Sequence, residues 1–241
     1  MSINERTDAN GGTLASDVYE RLRHDILCGE LPPGQKLRSE HLRDRYSVGN
    51  SPIREALNRL SSDGLVVRED QKGFHVANVS RVELEELVRT RCWLEEIGLR
   101  QSMALRGSKE GTAWEEKLVL AFHRLSRVPR SSNERTFSAN PEWEVLHRAF
   151  HAALISGCGS RWLEVFCTQL SDQADRYRQF AVAASYPKRN ELDEHKGIFD
   201  AIIEGDVDEA VKRLHNHYRY TAEIIMNSDS ELLADGPSNS N

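Results

Sequence analysis

Four histidines carry the strongest hint of chemistry in this chain. His147 and His151 lie four residues apart in LHRAFHAAL, a spacing that puts both imidazoles on one face of a helix. His195 falls in an apolar stripe with Leu192, Ile198, Phe199 and Ile202, and His217 falls in another between Leu214 and Thr221. Imidazoles on the inner faces of three helices can converge in a bundle core, where neutral nitrogen is a common ligand for Zn²⁺ and similar ions. A lone buried histidine is more often a satisfied core residue, so taken singly each of the four keeps that plainer reading.

Arg91 adds to the case. It sits on the apolar stripe of its helix between Leu87 and Leu94, where an unpaired guanidinium is costly. A ligand carboxylate is one partner that satisfies it, and Glu95 at i+4 is the other. Gln169, Gln173 and Tyr177 continue the Trp162–Phe166 stripe and are candidates for the same effector pocket. Arg176 and Arg178 are expected to reach solvent, or one of them to turn inward to a second carboxylate. An open metal can activate water, but Glu144 is the nearest acid and nothing reads H-E-x-x-H. The residues point to binding rather than turnover.

These residues need helices to position them, and residues 79–228 read as a succession of amphipathic helices with almost no strand signal. The periodicity predicts helices at Val82–Arg106, Lys109–Arg127, Glu142–Ser156, Arg161–Ser185, Glu191–Glu204 and Val207–Met226. The breaks carry Gly and Pro: Gly107, Pro129, Pro141, Gly157, Gly159, Pro187 and Gly205. Residues 1–12 and 229–241 read as disordered tails.

Residues 13–78 have a different texture. Leu42, Val48, Ile53, Ala56, Leu57 and Leu60 repeat at helical spacing around a short break at Tyr46–Asn50. Ser39 is expected to cap the helix before the break, and Ser51 or its predecessor to cap the one after it, with Pro52 tolerated in the first turn. That second helix, Ser51–Ser62, presents Arg54, Asn58 and Arg59. Leu65–Val67 and Phe74–Val76 read as a hairpin around Asp70–Gly73. A short helix presenting Arg and Asn beside a basic turn is the shape that enters a DNA major groove. The candidate DNA contacts are Arg38, Asn50, Ser51, Arg54, Asn58, Arg59, Lys72 and Gly73.

Charge supports a local DNA surface, not a general one. Residues 1–80 hold 11 Lys and Arg against 12 Asp and Glu. Between Lys36 and Arg59, however, six basic residues face three acidic ones, which is what phosphate contacts need. The whole chain has a net charge of −6, so an acidic body is expected to carry the basic reading face. No apolar run approaches the length of a bilayer span, and the first residues have no apolar signal core. Cys28, Cys92, Cys158 and Cys167 lack C-x-x-C spacing, so free thiols and a cytoplasmic location are expected.

The run from Val18 to Val76, with ILCGELPPGQKL, SPIREALNRLSSDGLV and the Lys72-Gly73 turn, resembles the GntR family of bacterial transcription regulators. The resemblance implies that Arg54 touches base edges or phosphate, that Asn50 and Ser51 touch phosphate, and that the wing reaches the minor groove. The family often has Ser-Arg-Thr before the proline; here Gly49-Asn50-Ser51 stands there, which removes a guanine reader.

Most of residues 82–226 resembles the FCD effector domain of the FadR branch of that family. The carriers are Phe150-His151, Glu194-His195 and His217 followed by Thr221, with His147 where an Asp or Asn is usual. The resemblance implies a divalent metal on His147, His151, His195 and His217. An all-histidine set lacks one negative charge and should favour Zn²⁺ or Ni²⁺ over Mg²⁺ or Ca²⁺; a three-ligand site with His147 turned away stays open. LHRAFHAALISGCGSRWL and QLSDQADRYR also resemble the repressors of glutarate and γ-aminobutyrate catabolism, implying a short dicarboxylate such as glutarate.

The expected architecture is mainly α, a winged helix-turn-helix of three helices and a small β-hairpin followed by an all-α antiparallel bundle. The expected function is a homodimeric repressor on a double-stranded DNA operator, with affinity modulated by a small organic acid at the metal. The alternative is a metal-responsive regulator in which the ion is the signal.

Overall fold

The computed structural model describes residues 13–133, 137–185 and 189–227. The expected tails at 1–12 and 229–241, and the break at Tyr186–Pro187, lie outside the described residues. The chain divides between Ser80 and Arg81 into two compact units.

The first unit begins with α1, Leu14–Leu27, capped by the Thr13 side chain, which accepts from the Ser16 N–H. Val18, Leu22 and Ile26 fall one turn apart and are buried against Ile53, Leu57 and Leu60. A turn at Pro32–Gly34 then leads into β1, Lys36–Leu37. α2 covers Ser39–Tyr46 and α3 covers Asn50–Ser62. Neither starts where the sequence suggests. Arg38 and Gly49 stand at the N-caps, and neither helix has a side-chain cap there. β2, Val66–Glu69, and β3, Gly73–Val76, form the expected hairpin, with positive φ at Gln71 and Gly73 closing its turn. β1 adds a third strand, antiparallel to β3 with Leu37 opposite Phe74, in the order β1-β3-β2.

The second unit holds α4 Arg81–Ala104, α5 Lys109–Leu125, α6 Pro141–Ile155, α7 Arg161–Ser185, α8 Glu191–Glu204 and α9 Val207–Met226. Phe150, Leu154, Leu99, Leu118, Ile198 and Leu214 are buried together in its core. Gly98 lets α4 and α6 approach closely, because a Cβ there would fall 2.9 Å from the Ile155 Cβ. Gly205, at φ 84°, ends α8, and the Asp206 side chain accepts from the Glu209 N–H to start α9. This short turn brings His195 and His217 onto facing helices. No described helix is long and apolar enough to cross a membrane, and all four cysteines are free.

Candidate metal and effector site

α6, α8 and α9 place all four histidines around one point. His147, His151, His195 and His217 are buried, and their ligand nitrogens lie within 4.8 Å of one another. His151 Nε2 is 3.1 Å from His147 Nε2 and 3.3 Å from His195 Nε2. Metal–nitrogen bonds of about 2.0–2.1 Å in a tetrahedron put ligand nitrogens roughly 3.3–3.4 Å apart, so these separations suit a shared ion. His147 Nδ1 and His195 Nδ1 have no hydrogen-bond partner among the described residues, so hydrogen bonding alone does not account for the cluster.

The surroundings hold two of the rings in place. His217 Nδ1 donates to Glu194 Oε2 at 2.7 Å, and Arg189 grips both oxygens of that carboxylate at 2.8 and 2.7 Å. Burial works against the Glu194 charge, yet the hydrogen bonds from Arg189 and His217 hold its pKa at about 2. His147 stacks on Trp143, with ring centres 4.5 Å apart.

Burial, and then the neighbouring imidazoles and arginines, hold the His147, His151 and His195 pKa values well below the usual histidine value. His217 is also lowered by burial, with Glu194 opposing. All four are therefore neutral when folded, which is the form that binds a metal. The unfolded chain takes up protons below about pH 6.5 and the folded metal-free chain does not. Stability of the stripped protein should thus be full above that pH and fall as pH drops, by up to about 1.4 kcal/mol per histidine per pH unit. Thermal melts from pH 8 to 5.5 check this; a flat melting temperature would contradict it. Glu194 titrates too low to mask the effect.

Beside the cluster lies a cavity of about 40 Å³, walled by His147, His151 and His217 and by Arg91, Arg148 and Arg178. Arg148 donates to Asp175 at 3.1 Å. Arg178 donates to Asp175 at 3.2 Å and forks onto Glu144. Arg178 thus turns inward, and Arg176 is buried as well. Arg91 lines the cavity but is paired with Glu95 at 2.9–3.0 Å, so of its two expected partners the structure supplies the internal one.

The other predicted pocket residues are not on the cavity wall. Gln169 is exposed, Gln173 accepts from Arg176 at 2.6 Å, and the buried Tyr177 donates to Glu83 at 2.8 Å. Trp162 and Phe166, the markers used to choose that face, are 73% and 48% exposed. The inner face of α7 is instead the one with Cys167, Asp175 and Arg178. Arg148, Asp175, Arg189 and Tyr218 were missed, and Glu144 was noted only as an acid near His147. On α6 the signal was charge at core-facing spacing, since Glu144 and Arg148 alternate with His147 and His151.

In the first unit a cleft of about 690 Å³ runs between α3, β1 and the β2–β3 turn. Arg38, Asn50, Arg54, Lys72 and Gly73 line it, joined by Lys36 and Arg68, which sequence reading passed over. Ser51 and Asn58 are exposed on α3 outside the lining. α3 has no capping side chain and no acid in its first turn, which leaves its N-terminal amides for a phosphate. Arg59 is engaged elsewhere. Its guanidinium lies 4.0 Å over the Tyr19 ring and donates to Ser16 at 3.3 Å, so it ties α3 to α1.

Residues 14–76 match the model of the bacterial regulatory proteins of the gntR family, and residues 86–220 match that of the FCD domain. The chain belongs to the GntR family. BphR of Paraburkholderia xenovorans, an HTH-type transcriptional regulator, is 35% identical over 90% of this chain and 87% of its own length. GlaR of Escherichia coli K12, an HTH-type transcriptional repressor, is 32% identical over 87% of this chain and 94% of its own. Among solved structures, a GntR regulator from Rhodococcus sp. RHA1 superposes with a TM-score of 0.69 at 21% identity, covering 88% of this chain and 97% of that one. Escherichia coli McbR/YncC gives 0.68 at 19% identity, covering 89% and 98%. These two show the fold. This GntR chain is a DNA-binding transcriptional regulator with an FCD domain, not an enzyme.

Proposed function

We propose that this GntR regulator represses transcription from a two-part operator and releases it when a short dicarboxylate binds a Zn²⁺ or Ni²⁺ held by His147, His151, His195 and His217. The convergence of the four buried imidazoles carries the metal reading. Such an ion supplies an electrophilic anchor for a carboxylate oxygen.

Charge favours a dianion. Arg91, Arg148, Arg178 and Arg189 are matched by Glu95, Asp175, Glu144 and Glu194 in the ion pairs around the site. Four neutral histidines therefore leave the charge of a divalent ion uncompensated, and a dicarboxylate is its natural complement. His147 in place of an acid sharpens that demand.

Volume argues that binding moves the wall. At roughly 10–15 Å³ per water-sized probe, the cavity holds about three waters, less than a five-carbon diacid needs. Entry has to move part of this wall, which includes Arg148, Asp175 and Arg178, so the effector favours a different state of the helices. A ligand shifts an equilibrium only by such differential binding. The small cavity also favours one second reading, in which the ion itself is the signal.

DNA contact is assigned to Lys36, Arg38, Asn50, Arg54, Arg68 and Lys72 around the cleft, with Ser51, Asn58 and Gly73 beside them. A second copy would bury the apolar side chains left exposed on α4 and α7, Trp93 and Ile97 on one and Trp162 and Phe166 on the other.

Calorimetric titration of the Zn²⁺-loaded protein with dicarboxylates of four to six carbons tests the effector assignment. A diacid should bind at least ten-fold more tightly than the monoacid of equal length. Equal affinity for both would sink the dicarboxylate reading. Metal-dependent operator binding with no response to any acid would favour the ion as signal.

A further inference from the structure

We propose that Tyr218 is a positioning residue for the metal site, fixing the tautomer of His151 so that Nε2 presents its lone pair to the ion. Arg91 holds Glu95 Oε1 at 2.9–3.0 Å, and the Tyr218 hydroxyl donates to Glu95 Oε2. The same hydroxyl lies 2.9 Å from His151 Nδ1.

Proton counting decides the rest. A phenol has one proton. The Glu95 carboxylate, ion-paired with Arg91, can only accept, so that proton is committed to it. Toward His151 the hydroxyl oxygen is left as an acceptor, so Nδ1 must donate. The neutral ring then carries its lone pair on Nε2, the atom that faces His147 Nε2 and His195 Nε2.

His217 is fixed in the same sense by Glu194, whereas His147 Nδ1 and His195 Nδ1 have no such partner among the described residues. Among the described residues, two of the four rings are thus oriented by an outer partner, His217 directly by a carboxylate and His151 through a neutral hydroxyl. Outer partners of this kind typically change metal affinity by about 10- to 100-fold.

This inference rests on the metal reading, and its test separates the two. Full-length protein is stripped with a chelator, and Zn²⁺ affinity is measured by competition for the native chain and Tyr218→Phe. Long-range ¹H–¹⁵N spectra of the histidine rings in the metal-free native protein report the tautomer directly. The expected results are a His151 proton on Nδ1 and Zn²⁺ binding weakened about 10- to 100-fold in Tyr218→Phe, with melting temperatures compared as a control. Native affinity in the variant would overturn the inference while leaving the metal in place. A His151 proton on Nε2 would overturn it even if the variant failed to fold. A native chain that binds no Zn²⁺ would overturn the metal reading itself.

Discussion

Replacing His195 by alanine is expected to weaken Zn²⁺ binding by about 100- to 1,000-fold, and His151→Ala should do at least as much. Structural zinc sites contribute about 10–16 kcal/mol, so an even share over four ligands is roughly 2.5–4 kcal/mol each. His151 sits between His147 and His195, at 3.1 and 3.3 Å, so its loss removes the centre of the set. Chelator competition reads the effect. His147→Ala is the informative companion, because a three-ligand site would survive it with a change of ten-fold or less. If His151→Ala and His195→Ala both kept native affinity, the ion would have to bind elsewhere. Removing one imidazole from a crowded neutral cluster should also flatten the loss of stability at low pH.

Arg54→Ala is expected to weaken operator binding by about 30- to 25,000-fold. A well-placed base contact is worth about 1–3 kcal/mol, and a two-headed complex loses it twice. Arg54 lines the cleft from the exposed side of α3, while Ala56 and Leu60 bury the opposite face. The substitution therefore removes a contact without touching the core. Lys36→Ala and Arg68→Ala should instead weaken binding on all sequences and reduce the salt slope by about one per lost phosphate contact at each head. Arg59→Ala is the control. Its stacking on Tyr19 and bond to Ser16 make its effect one of stability. Anisotropy titrations at several salt concentrations distinguish these cases. An unchanged affinity for Arg54→Ala would contradict the reading face assigned here.

Much of this architecture was legible because its breaks are chemically explicit. α8 and α9 fall at their expected ends, since Asn190 accepts from the Asp193 N–H, Gly205 adopts positive φ, and Asp206 caps the next helix. The histidine cluster was legible from helical spacing alone. β1 was not, because a two-residue strand has no alternation and its partner β3 lies far along the chain. The starts of α2 and α3 shifted because Ser39 and Ser51 lie inside helices that no side chain caps.

The cavity wall was misassigned for a related reason. Periodicity places apolar residues inward, but Trp162 and Phe166 are exposed, and of the three pocket candidates on their stripe Tyr177 alone is buried, away from the cavity wall. The cavity-facing side carries Asp175 and Arg178, whose buried charges are paired with Arg148 and Glu144 on α6. A buried ion-pair network spans helices, so one helix read by itself cannot reveal it. Arg91 was placed on the correct face, but which of two carboxylates it meets is a matter of three-dimensional geometry.

The most direct test of the account is operator binding by the full-length protein, Zn²⁺-loaded or metal-stripped, with and without a five-carbon dicarboxylate. The account predicts that the loaded protein binds its operator and lets go when the diacid is added. The stripped protein should keep its DNA at the same diacid concentration. Release of the stripped and loaded forms at equal diacid concentration would contradict the claim that the histidine-bound ion anchors the effector.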